Sequence, residues 1–192
     1  YYVEKALAPH AEVRRGTIAT LLTSPLAVMV VPDGEIVDAA ERDRVRQWVE
    51  EGGVLLRFAG PRLATRARAS DDPLLPVTLR PGTRALGGNL SWGASGHLAP
   101  FDPRGPFAGL APPPEVEVRQ QVMAEPTLDL DARTWARLDD GAPLVTGERR
   151  GKGWLVLVHT TANAEWGNLA LSGLFIDLLR RIVDLAGSVV AT

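Results

Sequence analysis

Two runs of β-favouring residues on either side of an amphipathic helix most constrain how this chain can fold. The first run, residues 26–31, contains no polar residue, and the second, residues 54–58, contains only Arg57. Strands without the usual alternation of apolar and polar residues are typical of parallel sheets covered on both faces. Between the runs, residues 35–51 carry apolar side chains at helical spacing and end in a Gly-Gly pair. This strand–helix–strand order predicts an α/β fold with a mostly parallel sheet.

The rest of the chain divides into an irregular segment and a regular C-terminal part. Residues from about 70 to 130 hold most of the 15 prolines, which predicts a loop-rich insertion with a few antiparallel strands. From residue 134 the pattern predicts hairpins with turns at 139–141 and 150–151. Apolar residues at helical spacing over 169–186, Leu171 among them, predict one long C-terminal helix. We expect the 192 residues to form a single domain.

Charge and cysteine content exclude several classes of function. The chain has 21 Lys+Arg against 23 Asp+Glu, a net charge of −2, so we expect no nucleic-acid partner. Cysteine is absent, which removes disulfides, thiolate metal sites and cysteine nucleophiles. The three histidines lack the spacing of a metal site, and we expect neither a metal nor a cofactor. No apolar stretch reaches the roughly 20 residues that a membrane-spanning helix needs.

The turn after the second strand is the most site-like part of the sequence. Ligands of open α/β sheets bind at the carboxyl ends of the strands, and here Phe58 is followed by Ala-Gly and a predicted helix at 62–69. A strand that passes through a sharp turn into a helix has the shape of a nucleophile elbow. Arg57 and Arg62 flank this turn. They either bind a carboxylate or phosphate ligand or pair with acidic side chains of the chain.

The segment GGVLLRFAGPRLA, residues 52–64, resembles the class I glutamine amidotransferase-like family. In that family a helix ending in Gly-Gly leads into a strand and a G-x-C-x-G elbow, and a His-x-Glu motif follows a late strand. When the family's elbow motif is aligned with this chain, Phe58 occupies the position of the nucleophilic cysteine, and Gly60 matches the last elbow glycine. His159 matches the histidine, whereas Thr161 stands in place of the glutamate. The resemblance implies a flavodoxin-like three-layer sandwich.

These replacements predict a fold without the family's chemistry. A phenyl ring cannot attack a carbonyl carbon, and a histidine without an orienting carboxylate is a poor base. We expect Phe58 to fill the vacated pocket rather than to act as a stacking platform, and His159 to be a structural residue. The candidate vestigial site or ligand pocket therefore comprises Arg57, Phe58, Gly60, Arg62, His159 and Thr161.

A second resemblance covers almost the whole chain. Runs such as YYVEKALAPHAEV and HTTANAEWGNLALSGLFIDLLRRIVDLAG are similar to the middle domain of large bacterial membrane proteins with an aerotolerance-regulator (BatA-type) N-terminus. The resemblance implies a soluble domain of an inner-membrane protein, cut from a longer chain whose first strand lies just upstream of Tyr1. Its partners are then other domains of the parent chain or another protein. The segment itself is not expected to span the membrane.

Three functions remain open on the sequence alone. The leading prediction is a catalytically inactive amidotransferase-like module that acts in binding or assembly. The first alternative is a hydrolase that activates water with carboxylates of the insertion. It predicts acidic side chains with raised pKa values at the carboxyl edge of the sheet. The second alternative is a small-ligand or glycan sensor, which predicts tryptophan and arginine side chains around an open cleft.

Overall fold

The computed structural model describes residues 1–33, 36, 38–66, 72–87 and 96–187. Its elements in chain order are α1 (Tyr2–Leu7), α2 (Ile18–Leu21), β1 (Val28–Pro32), α3 (Ala39–Glu50), β2 (Val54–Phe58), α4 (Pro61–Arg66), β3 (Arg84–Ala85), β4 (Gln120–Gln121), α5 (Leu130–Arg133), β5 (Thr134–Arg137), β6 (Pro143–Arg150), β7 (Gly153–Val158), a 3-10 turn (Leu169–Leu171) and α6 (Gly173–Gly187).

Five of the strands form one sheet in the order β1-β2-β7-β6-β5. The pairs β1–β2 and β2–β7 are parallel, whereas β7–β6 and β6–β5 are antiparallel. Four of the five strands therefore point the same way, and β6 alone runs against them. The predicted α/β class with a mostly parallel sheet is confirmed. The order also places β1 at one edge, with β2 and β7 at the centre.

Helices and loops cover both faces of the sheet, which gives three layers. Alternate residues of a strand point to opposite faces, and in β2 Leu56 and Phe58 pack in the core cluster that includes α1 and α6. Leu55 faces the other way, into a cluster with Val45 and Val49 of α3. Every residue of β2 is buried because it is covered on both sides. This explains why its sequence lacks alternation.

The predicted insertion packs against the sheet rather than forming a core of its own. Its strands β3 and β4 form an antiparallel pair, and Leu79 pairs with Ala124 in an isolated bridge. Val77, Leu79, Val122 and Ala124 are buried together with Leu63, Leu157 and Trp166, which lie outside the insertion. The segment is therefore held in place by β7, α4 and the loop after β7. Of the predicted insertion, residues 70, 71 and 88–95 lie outside the described residues.

Two helix boundaries differ from the predictions because side chains bond to the backbone there. The helix predicted from residue 35 begins at Ala39, where the Asp38 carboxylate accepts the N–H of Ala40 at 2.9 Å. The C-terminal helix predicted over 169–186 is observed from Gly173, whereas Leu169–Leu171 form a separate 3-10 turn. The helical pattern is interrupted at Ser172, whose hydroxyl donates to the Leu169 carbonyl at 2.6 Å. Leu171 consequently leaves the apolar face and is 59% exposed.

Within the described residues, no helix combines the length and the apolar character needed to cross a membrane.

Candidate functional site

The turn between β2 and α4 is occupied by a carboxylate of the chain itself. Asp33 directly follows β1, and its Oδ1 accepts the N–H groups of Gly60 at 2.8 Å and Leu63 at 3.1 Å. Its Oδ2 accepts the N–H of Arg62 at 3.1 Å. These are N–H groups at the start of α4, which a helix leaves without partners of its own. Asp33 thus caps α4 from the neighbouring strand and closes the elbow-like turn.

Gly60 is required at this turn by the close approach of Asp33. A Cβ atom at Gly60 would lie 2.6 Å from the Asp33 carboxyl carbon, so a side chain there displaces the carboxylate. Asp33 itself has a φ of 41°, in the left-handed region that Asp tolerates better than most residues. The conformation of the turn therefore depends both on glycine at position 60 and on aspartate at position 33.

Phe58 belongs to the core between the sheet and α6. The side chain is fully buried, and its ring lies 6.0 Å from that of Phe175, with the ring planes inclined by 55°. It contacts the cluster that also holds Leu56 and Val158. The ring thus presents no face to a ligand, and the position matched to the family's nucleophile is filled with packed hydrocarbon.

Arg57 is buried on the opposite face of β2 and is paired. Its Nη1 lies 2.7 Å from Asp72 Oδ2 and 3.4 Å from the Leu74 carbonyl oxygen. The Arg57 side chain is 1% exposed and that of Asp72 is 19% exposed. Of the two roles considered for Arg57, the structure shows pairing with an acidic side chain. This ion pair fixes the start of the insertion to the centre of the sheet.

Both ring nitrogens of His159 are engaged. Nδ1 lies 2.8 Å from the Val122 carbonyl oxygen, and Nε2 lies 2.9 Å from the Thr146 hydroxyl. Because a carbonyl can only accept, we assign the proton to Nδ1, and Nε2 then accepts from Thr146. Burial lowers the pKa of His159 to about 4, and the hydrogen bond to Val122 only partly opposes this. At neutral pH the imidazole is uncharged, with its basic nitrogen already occupied.

Thr161 does not orient the His159 ring. Its hydroxyl donates to Asn163 Oδ1 at 2.8 Å, and within the described chain the Val122 carbonyl is what holds the ring nitrogen Nδ1. The two residues matched to the family's His-x-Glu motif therefore have separate partners.

An open groove of about 800 Å³ runs along the outer edge of β1. At the carboxyl end of the sheet it reaches Asp33, Arg62 and Thr161. Two of the six predicted site residues, Arg62 and Thr161, thus line one cavity. The other four, Arg57, Phe58, Gly60 and His159, lie outside its lining. Sequence reasoning missed the groove because it did not establish that β1 is an edge strand.

Four of the ionic side chains that line the groove form two ion pairs. Arg15 donates to the Glu4 carboxylate, and this hydrogen bond holds the pKa of Glu4 below its usual value. Arg14 and Glu12 form an exposed pair at 2.9 Å. The hydrolase alternative predicts raised pKa values for carboxyl groups of the insertion, whereas the hydrogen bond from Thr127 holds the pKa of Asp129 in that segment below its usual value. Among the residues described, no group of three or more His, Cys, Asp or Glu side chains could hold a metal ion.

Tryptophan does not contribute to the groove in the part of the chain described. Trp48, Trp135, Trp154 and Trp166 all lie outside the lining, and Trp92 lies outside the described residues. The combination of tryptophan and arginine expected for a glycan sensor is therefore not found at this cavity.

Comparison with known proteins shows similarity at the level of the fold. No protein-family model and no curated protein matches the sequence. The cytoplasmic protein STM3548 from Salmonella typhimurium superposes with a TM-score of 0.69 at 14% identity, over 95% of this chain and 85% of that chain. The cytoplasmic protein STM1381 from Salmonella typhimurium LT2 gives 0.66 at 14% identity, over the same shares of the two chains.

A β-galactosidase from Bacillus circulans sp. alkalophilus is also similar, with a TM-score of 0.52 and 15% identity over 84% of this chain. The match covers only 23% of that enzyme. Structural similarity at such low sequence identity establishes a shared α/β architecture and nothing about activity.

Proposed function

We propose that this domain is a catalytically inactive, amidotransferase-like module that acts in binding or assembly within a membrane-anchored bacterial protein. The observation that carries the proposal is the closed turn after β2. There, the Phe58 ring is packed into the core and the Asp33 carboxylate occupies the N–H groups of α4. No nucleophilic side chain is described at this turn, and three of its N–H groups already have the Asp33 carboxylate as their acceptor.

The separation of Phe58 and His159 supports the same conclusion. Nucleophilic catalysis needs a nucleophile and a base within hydrogen-bond reach of each other. Phe58 lies on the α6 face of the sheet with Val158, and alternation along the chain then turns His159 to the opposite face. There the ring meets Val122 and Thr146. A nucleophile at position 58 would therefore point away from the base.

Activity assays with three variants test the proposal. We expect the wild-type domain, His159→Ala and Phe58→Cys all to hydrolyse glutamine and p-nitrophenyl acetate no faster than a matched control, Leu128→Cys, whose residue is fully exposed. The control accounts for the background reactivity of a thiol. Turnover by the wild type that His159→Ala abolishes would overturn the proposal. Turnover by Phe58→Cys well above Leu128→Cys would show that the site geometry is intact and that only the nucleophile is missing.

A further inference from the structure

The side chain of Gln121 in β4 is a buried polar group that the described part of the chain does not satisfy. Gln121 is 0% exposed, and among the described residues neither its Oε1 nor its Nε2 has a hydrogen-bond partner. A side-chain amide offers an acceptor oxygen and two donor hydrogens. Burying such groups unpaired is costly, and native proteins almost always give them a protein group or an ordered water molecule as partner. The Gln121 amide therefore indicates a bound polar molecule.

The pairing of β3 with β4 shows on which side of β4 this amide lies. Gln121 is directly opposite Arg84 in the antiparallel pair, and residues paired in this way point to the same face. The guanidinium of Arg84 donates to the carboxylate of Asp140, in the turn between β5 and β6. The next residue of the chain, Val122, belongs to an apolar cluster and points to the opposite face. The Gln121 amide thus lies on the side of Arg84 and the β5–β6 turn.

The Arg84–Asp140 ion pair covers this side of β4. The Arg84 and Asp140 side chains are 27% and 23% exposed, so the pair reaches the surface, whereas Gln121 beside it is fully enclosed. A guanidinium has five N–H donors, but none of those of Arg84 reaches Gln121 Oε1. When neighbouring polar groups do not reach each other directly, a water molecule commonly bridges them.

We propose that the Gln121 amide binds internal water beneath the Arg84–Asp140 ion pair. Water at Oε1 donates to that oxygen, and water at Nε2 accepts one of its N–H groups. The guanidinium and the carboxylate above supply the further partners of a buried water, which makes about three hydrogen bonds. The site takes water rather than a larger ligand because the amide is fully enclosed. This inference is independent of the proposed function.

NMR of the wild-type domain tests for the water directly. Magnetisation transfer from water to the side-chain NH₂ group of Gln121 would be recorded on ¹⁵N-labelled domain. We expect a cross-peak with the sign of a long-lived contact. The exposed amide of Gln47, whose Nε2 donates to Glu51, is the control and should show only the short contacts of surface water. A Gln121 NH₂ group without a long-lived water contact would overturn the inference.

Removing the polar atoms should remove the water. Gln121→Met keeps the length of the side chain and lacks both the oxygen and the nitrogen. Relaxation dispersion of water ¹⁷O counts long-lived waters, and we expect Gln121→Met to have at least one fewer than wild type. Gln120→Met, at the adjacent half-buried position, is the matched control and should lose none. An unchanged number in Gln121→Met would contradict the site, and the wild-type measurement still decides if this variant does not fold.

Opening the ion pair tests what holds the water in place. Arg84→Ala removes the cover, and we expect the residence time of the water to fall about tenfold or more, because exchange no longer requires a local opening. Arg80→Ala breaks an exposed ion pair with Glu125 four positions earlier and should leave the residence time within about twofold of wild type. Equal residence times in the two variants would show that Arg84 does not cover the site. None of these measurements involves turnover, so they do not bear on the loss of catalysis.

Discussion

The ends of the central strands differ from the edge of the sheet in whether their surroundings are closed. Polar groups at the strand ends are hydrogen-bonded within the domain, whereas the edge strand β1 borders an open groove. At the ends of β2 and β7, Asp33 caps α4 and both nitrogens of His159 are bonded. Along β1, Val28 and Val30 line an open groove. The turn where an α/β enzyme would hold its reacting groups has its N–H groups occupied by Asp33, whereas the groove along β1 is open.

This contrast shows that an α/β fold can be kept while the usual location of its functional site is closed. The carboxyl edge of a parallel sheet is the usual location of chemistry because strand ends leave polar groups and space there. In this domain the space is taken up by Phe58 and by the insertion, and the polar groups bond to one another. An open groove is instead found one strand away, along β1. The following predictions test each side of the contrast, in order of decreasing effect.

The largest effect is expected from opening the closed region at Phe58. Phe58→Ala removes a fully buried ring and leaves a cavity beside Phe175, so the free energy of unfolding should fall by about 3–5 kcal/mol. Urea unfolding measures the change. Leu128→Ala, at a fully exposed position, is the control and should stay within about 0.5 kcal/mol of wild type. A small loss for Phe58→Ala would mean that the turn is not sealed by packing.

The buried His159 should make the domain sensitive to acid. The pKa of His159 is lowered from 6.5 to about 4, so the unfolded chain takes up the proton first as pH falls. Stability is present above pH 6.5 and is lost by about 3 kcal/mol between pH 6.5 and 4.

The pH effect is measured as the difference between wild type and His159→Gln across this range, with His10→Ala as an exposed control. An NMR titration that gives His159 a pKa near 6.5 would show that the residue is not held neutral by the fold.

A moderate effect is expected from removing the carboxylate cap. Asp33→Ala deprives the N–H groups of Gly60, Arg62 and Leu63 of their acceptor. The loss should be about 1–2 kcal/mol, with faster hydrogen exchange at these three amides. Asp33→Asn keeps one oxygen acceptor and tolerates the positive φ, so it should lose less. Wild-type exchange in Asp33→Ala would contradict a closed turn.

The smallest effect on the free energy of unfolding is expected for a substitution in β1 on the side that faces the groove. The N–H of Asp33 donates to the Phe58 carbonyl, and in a parallel ladder the backbone groups of alternate residues point to the same side. The N–H of Val31 therefore faces β2, and that of Val30 faces the groove. Val30→Pro removes the N–H on the groove side, and the free energy of unfolding should fall by about 1 kcal/mol or less. Val31→Pro removes an N–H directed at β2 and should cost about 3 kcal/mol or more. Thermal unfolding of the two variants measures this difference. Similar losses at both positions would show that β1 has no free edge.

Elements defined by short-range patterns were the most predictable. The strand predicted at 54–58 is observed as Val54–Phe58, because a run that is apolar except for Arg57 lies between glycine-containing turns. The hairpin turn at 139–141 is confirmed, and the one predicted at 150–151 is found one residue later, at 151–152, since each joins neighbouring strands. Apolar periodicity was misleading at Ser172. A hydroxyl that bonds to the backbone can end a helix without changing the pattern of hydrophobic residues.

The arrangement of the site depended on contacts that spacing does not encode. The partners of His159 lie 13 and 37 positions away along the chain, and no motif links these residues. Asp33 was missed because Pro-Asp-Gly after a strand indicates only a turn. Its role becomes visible once β1 and β2 are known to be neighbours, since an acidic residue after one strand can then cap the helix that follows the next. The groove likewise depends on strand order.

The pairing of β2 with β7 has a consequence for how fast this domain folds. Val54 lies opposite Trp154, a hundred positions along the chain, so the centre of the sheet closes a loop that contains the whole insertion. Closing a flexible loop of that length costs about 4 kcal/mol in chain entropy before any contact across it contributes. The hairpins of β5, β6 and β7 need no such closure and can form early. Folding should therefore be slow and limited by the docking of β2 onto a preformed C-terminal meander.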